Sequence, residues 1–360
     1  MHSSNIIIGG GLSGLLTAWR LQQQNLPYVL LEAKAELGGR IFGVQDQQSK
    51  HYHDLGPTWV FPHQHNIQNL LTELGLTYFE QCTQGEALFQ KQNNAEIIQT
   101  AGAGALTTYR VQGGMTALIE TIYRKLNTEN IKASHAVTNI RQKDDHWVIT
   151  AQHNNTQINF EAENLVLALP PRMITQYLTP QHWASPSLQS AFKQVPTWMA
   201  AQAKFIATYA SPFWQERGLS GQAFSQQGPM QEVHDASADN SPPYALFGFI
   251  GIPAQNRAQY SESQIKQACI NQLQKLYGEQ AKNAQTTLLK DWAFDEYVTT
   301  KQDCREAPSH PNFNIIEHIN ELEEKNIYLA ASEFSADDAG YLEGAVCAVK
   351  QVIAKLILIK

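Results

Sequence analysis

Three of the four glycines within the first fourteen residues constrain this chain more than anything that follows. Gly9, Gly11 and Gly14 stand in the spacing Gly-x-Gly-x-x-Gly directly after the apolar run Asn5-Ile6-Ile7-Ile8. Residues 15–23 have helical composition, with Ala18 where a helix must pass close to a strand. A second apolar run, Tyr28 to Leu31, ends in Glu32 and is followed by Ala33. In a strand–turn–helix each glycine has its own task. Gly9 permits the tight turn, Gly11 lets backbone amides approach a pyrophosphate, and Gly14 lets helix and strand pack closely. The helix N-terminus offers free N–H groups and a positive dipole to phosphate, and Leu12 and Ser13, leading into it, are read as cofactor-binding. Glu32, eighteen residues past Gly14, is placed to accept hydrogen bonds from ribose hydroxyls. The ligand class implied is a dinucleotide.

Gly38-Gly39-Arg40 narrows the choice. An arginine after two glycines, a few residues past the ribose acid, can reach a pyrophosphate with both arms of its guanidinium. Together these residues resemble the start of the glutathione-reductase-like FAD proteins, in which Glu-x5-Gly-Gly-Arg recurs as a second fingerprint.

Composition excludes other classes. Lys and Arg number 26 against 33 Asp and Glu, a net charge of −7. No basic footprint for nucleic acid or an anionic membrane exists. The four cysteines are scattered, without Cys-x-x-Cys or zinc spacing, and read as free thiols in a reducing compartment. His51, His53, His63 and His65 lack a third ligand motif, so no metal is expected. A strand beginning at Asn5 leaves no room for a secretory signal, and no apolar run is long enough to span a membrane. The apolar stretch 346–359 is broken by Lys350, Gln351 and Lys355 and reads as an amphipathic helix. The expected location is the cytoplasm; the oligomeric state stays open.

Along the chain, strand and helix alternate at first. A strand is predicted at 41–44 and a helix over 66–74, closed by Gly75. A hairpin is predicted through Leu88-Phe89 and Ile97-Ile98, a turn over 101–105, and a helix opened by Gly113-Gly114-Met115 and reaching about Leu126. Strands follow at 136–140 and 146–151, then a wholly apolar buried strand at 165–169, stopped by Pro170-Pro171. From about Pro196 to Lys290 the pattern turns antiparallel, with strands at 202–209, 245–251 and 286–291 around a helix over 262–277. The doubly wound pattern returns at Ile327 and ends in a helix. The fold class expected is α/β (α+β overall). A glutathione-reductase-like FAD-binding Rossmann domain would comprise 1–80, 106–193 and 292–360, and a smaller mixed-sheet substrate domain 81–105 and 194–291.

The order of patches resembles the flavin-containing amine oxidases, the monoamine and polyamine oxidase family. It runs through Asp54-Leu55-Gly56, Val111-x-Gly113-Gly114-Met115 and Leu167-Ala168-Leu169-Pro170-Pro171. Lys204 upstream of Tyr209-x-x-Pro212-Phe213-Trp214 follows, then Asp291-Trp292 with Tyr297, Ala331-Ser332-Glu333, and Gly340-Tyr341-Leu342-Glu343-Gly344-Ala345-Val346. The resemblance implies non-covalent FAD, with Val137 at the adenine, and Ser332 and Glu333 near the ribityl and pyrophosphate groups. Gly56, Pro57, Thr58, Trp59 and Gly39 would lie along the cofactor, and Gly340, Leu342 and Ala345 would start a helix facing the flavin's pyrimidine side. It makes Lys204 the lysine that assists reoxidation by oxygen, and Tyr341 one wall of an aromatic cage for an amine.

Departures sharpen the expectation. The second cage wall should fall at Gln302, and Lys301 stands where some members carry a flavin-linked cysteine, with Cys304 out of register. Trp59 replaces a carboxylate-binding arginine of amino-acid oxidases, which argues against an amino-acid substrate. The covering insertion between 74 and 113 is reduced to about thirty-five residues, which implies a more open site. The function implied is oxidation of an amine to an imine, with oxygen reduced to hydrogen peroxide. Two alternatives remain: a renalase-like or desaturase-like oxidoreductase acting on another donor, and a non-catalytic FAD-binding protein.

Overall fold

The structure, a computed structural model, describes residues 2–92, 96–101, 106–239, 241–311 and 315–358. Two seven-stranded sheets organise it. In the first, His2–Ile8 pairs in parallel with Tyr28–Leu31 on one side and Thr156–Leu167 on the other. Ile131–Lys132 extends it beyond Tyr28–Leu31, and Ile327–Leu329 lies parallel to residues 165–167. Ala136–Lys143, His146–His153 and Thr156–Leu167 form an antiparallel meander at one edge.

The wholly apolar runs are explained by burial on both faces. Side chains alternate across a strand, so Ile7, Leu30 and Val166 pack with Leu15, Ile119 and Val349 of helices Leu12–Gln23, Thr116–Tyr123 and Leu342–Leu358. Ile6, Ile8, Leu165 and Leu167 face the other way, onto Ile174, Leu188 and Phe192 of Pro171–Tyr177 and Pro186–Gln194. Of the strand predicted at 165–169, residues 165–167 close a twelve-residue strand that begins at Thr156, and 168–169 lie beyond its end. Its first half has one face toward solvent, and polar residues there hide the strand from an apolar-run reading.

The second sheet has the order Thr286–Asp291, Ala203–Tyr209, Tyr244–Ile250, Met230–Asp235, Leu219–Ser225, Glu86–Gln90, Ile97–Ala101. Ala203, Phe205 and Ala207 lie on one face, against helix Glu262–Tyr277, whose start is fixed by a Ser261–Gln264 capping box. Lys204 and Ile206 lie on the other face, with Phe247 and Phe249. The predicted hairpin is present, Leu88 opposite Gln99. Leu219–Ser225 and Met230–Asp235 were not predicted, and the former pairs in parallel with Glu86–Gln90. Residues 102–105 of the predicted turn lie outside the described residues. No helix among the described residues is long and apolar enough to cross a membrane.

Candidate active site

A cavity of about 580 Å³ runs from the glycine loop to the Lys204 face of the second sheet. Of the residues singled out in the sequence, Gly9, Gly11, Leu12, Ser13, Glu32, Ala33, Gly39, Arg40 and Val137 line its nearer part. Gly56, Pro57, Thr58, Trp59, Lys204, Ser332, Gly340, Tyr341, Leu342 and Ala345 line the rest. Two are not in the wall: Gly14 and Glu333.

The glycine loop separates packing from binding. Gly9 has φ +108°, and a Cβ there would lie 2.6 Å from the Ala168 carbonyl oxygen. A Cβ on Gly14 would sit 1.8 Å from the Gly9 carbonyl oxygen, so this glycine serves the turn from behind. Gly11 differs. Its φ of −75° suits any residue, and its Cβ would meet no protein atom closer than 3.7 Å. Neither backbone nor packing needs a glycine here, whereas a group seated in the cavity does. The helix beginning at Leu12 has no side-chain cap and no acid in its first turn, leaving N–H groups for an anion. These observations fit a pyrophosphate.

Glu32 sits at the end of Tyr28–Leu31, with Oε2 accepting from the Gly10 amide at 2.5 Å and Oε1 from the Lys34 amide at 2.8 Å. Burial raises its pKa and those hydrogen bonds oppose the rise. His135, unmarked in the sequence reading, joins this end. Its amide donates to the Glu32 carbonyl at 2.7 Å, and its ring stacks on His153 with centroids 4.2 Å apart.

Arg40 and Glu333 are joined rather than both directed at a ligand. Arg40 Nη1 and Nη2 donate to the two Glu333 oxygens at 2.6 and 3.0 Å, and Nη2 reaches Ser332 Oγ at 3.2 Å. Glu333 is fully buried behind the wall, while Arg40 lines it with donors to spare. Glu333 thus meets the cavity wall only through its ion pair with Arg40.

At the far end Lys204 is almost fully buried. Its Nζ donates to Thr58 Oγ1 and, at 3.2 Å, to the Gly56 carbonyl, and lies 4.2 Å from the Phe247 ring centroid. Burial pulls its pKa down and Asp54 opposes the fall; burial pushes the Asp54 carboxyl up, against the pull of Lys204. Strand register extends the site. Lys204 faces Phe249, and Phe249 faces Glu232. All three line the cavity, and a hydrogen bond with His234 holds the Glu232 carboxyl below its ordinary pKa. Trp59 donates to Gln81 Oε1 at 2.9 Å and meets His234 and Phe249 edge-on.

Tyr341 lines the cavity with Phe61 edge-on at 5.9 Å. Its ring stacks on His310, which stacks in turn on Trp198 at 3.6 Å. Gln302 is exposed and bonds Glu306 instead, so no second wall arises there. Phe61, Trp198 and Phe249 supply aromatic surface; strand register brings in Phe249, while Phe61 and Trp198 lie outside strands and helices. Lys301 is exposed, and none of the four cysteines lines the cavity.

A family model described as flavin containing amine oxidoreductase matches residues 80–348, and one described as an NAD(P)-binding Rossmann-like domain matches 7–74. The chain belongs to the flavin-containing amine oxidoreductases. A probable flavin-containing monoamine oxidase A of Dictyostelium discoideum is 22% identical over 443 residues, covering 95% of this chain and 94% of that protein. That span exceeds the 360 residues here, so the relative carries segments that this chain lacks. Putrescine oxidase of Kocuria rosea is 26% identical over 45% of this chain and 38% of its own. The fold is that of a putrescine oxidase solved with putrescine (TM-score 0.82, 18% identity, 99% of both chains). Cyclohexylamine oxidase from Brevibacterium oxydans matches equally, at TM-score 0.82 and 18% identity over 99% of this chain and all of its own. This amine oxidase is therefore an FAD-dependent oxidoreductase with a Rossmann-like domain and two mixed sheets.

Proposed function

We propose that this enzyme oxidises a primary amine carrying a second cationic group and passes the electrons to molecular oxygen. One observation carries the reading: the row Lys204–Phe249–Glu232 places a carboxylate in the wall of an aromatic cavity, two strands from a buried lysine. Neighbouring strands lie about 4.8 Å apart, so the two positions are roughly 10 Å from each other. A short diamine spans much of that distance. Glu232 would pair with the distal ammonium, and the rings of Tyr341, Trp59 and Phe249 would hold the reacting end. Among the described residues no arginine lines this end of the cavity to receive a substrate carboxylate.

FAD, when bound, supplies the two-electron acceptor. Gly11, Leu12, Ser13 and Arg40 would hold its pyrophosphate, Glu32 its ribose, and Val137 its adenine. The carbon beside nitrogen loses a hydride equivalent and the nitrogen a proton. The resulting imine is hydrolysed by water, and oxygen takes two electrons and two protons to become hydrogen peroxide. Lys204 would hold a water at the reacting face, as Thr58 and the Gly56 carbonyl hold Lys204. We assign 1–80, 106–193 and 292–360 to the FAD unit and 81–105 and 194–291 to the substrate unit. Four free cysteines support a reducing, cytoplasmic setting.

The test is Glu232→Gln with a diamine and the monoamine of equal length. Half-exposed, Glu232 is screened by solvent, so KM for the diamine is expected to rise about tenfold, the low end for a charged hydrogen bond. KM for the monoamine should stay unchanged; equal effects on both would contradict the assignment.

A further inference from the structure

Beside Lys204 lies a buried polar cluster with too few partners. His51 Nδ1 and Nε2, Asp54 Oδ2, Arg110 Nε and Thr116 Oγ1 are buried without any hydrogen-bond partner among the described residues. The His53 ring nitrogens are likewise unsatisfied, with Asp46 Oδ2 3.6 Å from Nε2. These groups come from neighbouring segments. Asp54 Oδ1 accepts from the Met115 amide at 2.7 Å, the Tyr52 amide donates to Gly113 at 2.8 Å, and the His51 and His53 rings lie 5.5 Å apart. Arg110 is anchored by the Ser237 and Ala236 carbonyls, and its charge is felt at His51, His53 and Asp54.

Folded proteins leave few buried polar atoms unpaired, and clusters of them hold ordered water with two to four partners each. We infer that ordered water fills this cluster and that, with Asp54, His51 and His53, it forms a proton path from Lys204 to the surface carboxylate of Asp46. It rests on the assignment of Lys204 to the reaction centre.

The chemistry needs such a path. An amine enters mainly as ammonium and must lose a proton before its nitrogen lone pair is free, at a place where Lys204 is only 2% exposed. In each hop one N–H or O–H bond breaks and another forms on the neighbouring acceptor, and no electron moves. The Asp54 carboxylate takes a proton from Lys204 through water; the imidazoles pass it on; Asp46, with 19% of its side chain exposed, releases it. The charged groups facing the imidazoles are Arg110 and Asp46. Burial, ahead of Arg110, pushes His51 down to about 3, and burial also lowers His53. Each neutral ring then offers one donor and one acceptor, as a relay requires. Arg110 stays charged and serves as a positioning residue.

Three readouts test the path. A high-resolution crystal structure of the protein should show waters joining Asp54 Oδ2, Arg110 Nε and the two imidazoles; a dry cluster overturns the inference. In His53→Gln, anaerobic flavin reduction by putrescine should slow at least tenfold at neutral pH, with an unchanged amine Kd, an altered pH profile and partial rescue by added imidazole. A slowed variant with the wild-type profile and no rescue is merely structural and overturns it. Asp46→Asn, at the surface end, should alter the pH profile without loss of fold, so the path stays testable if His53→Gln fails to fold. If no amine reduces the wild-type flavin, the functional reading fails, while the crystallographic waters still decide whether the path exists.

Discussion

Glu333 grips Arg40 with both carboxylate oxygens, at 2.6 and 3.0 Å, across 293 positions of chain. The pair ties the loop after the second strand to the segment before the last helix, at the place where both meet the cavity. Arg40→Ala would leave a fully buried carboxylate without its cation. Breaking one side of a buried pair costs about 3 kcal/mol or more, reduced here because Arg40 is 28% exposed. A clear fall in the thermal midpoint of the FAD-free protein is expected, smaller in the double variant Arg40→Met/Glu333→Leu.

Gly11 and Gly14 should respond oppositely to the same methyl group. Gly14→Ala places Cβ against the Gly9 carbonyl and should destabilise the protein with or without cofactor. Gly11→Ala meets no protein atom within 3.7 Å, so the FAD-free protein should keep its stability to within about 0.5 kcal/mol. Its FAD affinity should fall more than tenfold. Unfolding of the stripped proteins and titration with FAD separate the two cases.

Glu32 should make the stability of the FAD-free protein depend on pH in a definite direction. Burial raises its folded pKa above the unfolded value. The folded state therefore binds the proton more tightly, and this contribution is complete below the unfolded pKa and lost as pH rises through the folded one. Glu32→Gln should flatten that slope and weaken FAD binding by about 2 kcal/mol, as loss of a charged acceptor does. Thermal unfolding from pH 4 to 8 measures the first effect.

Lys204→Met should slow reoxidation of the reduced flavin by oxygen on the order of 10²-fold, the scale for removing one preorganised donor. Binding of FAD should persist, because Thr58 and Gly56 remain. The folded pKa of Lys204 is depressed, so between it and the unfolded value the unfolded chain binds more protons and stability rises with pH. That rise should vanish in the methionine variant. Stopped-flow mixing with oxygenated buffer gives the rate.

That the glycine loop, Glu32 and Arg40 share one cavity wall was legible because the signals are local. A positive φ at Gly9, the close approach at Gly14 and the acid closing a buried strand are set within one βαβ unit. Lys204 was singled out by the family resemblance, and the structure buries it in the cavity wall. Phe249 and Glu232 were not, since only the register of three strands brings them beside Lys204. His135 and Trp198 enter through loops whose path no periodicity encodes. The family resemblance placed Glu333 near the ribityl and pyrophosphate groups, whereas its side chain turns inward to Arg40.

The central claim is that a neutral amine held in this aromatic cavity reduces the flavin. Anaerobic mixing of the yellow holoenzyme with putrescine, its monoamine analogues and a dihydronicotinamide, followed by flavin absorbance, tests it most directly. Bleaching by the diamine, with recovery of the yellow form and hydrogen peroxide on admitting oxygen, is the expected result. A flavin that stays oxidised with every amine and is bleached by the dihydronicotinamide alone would contradict the account.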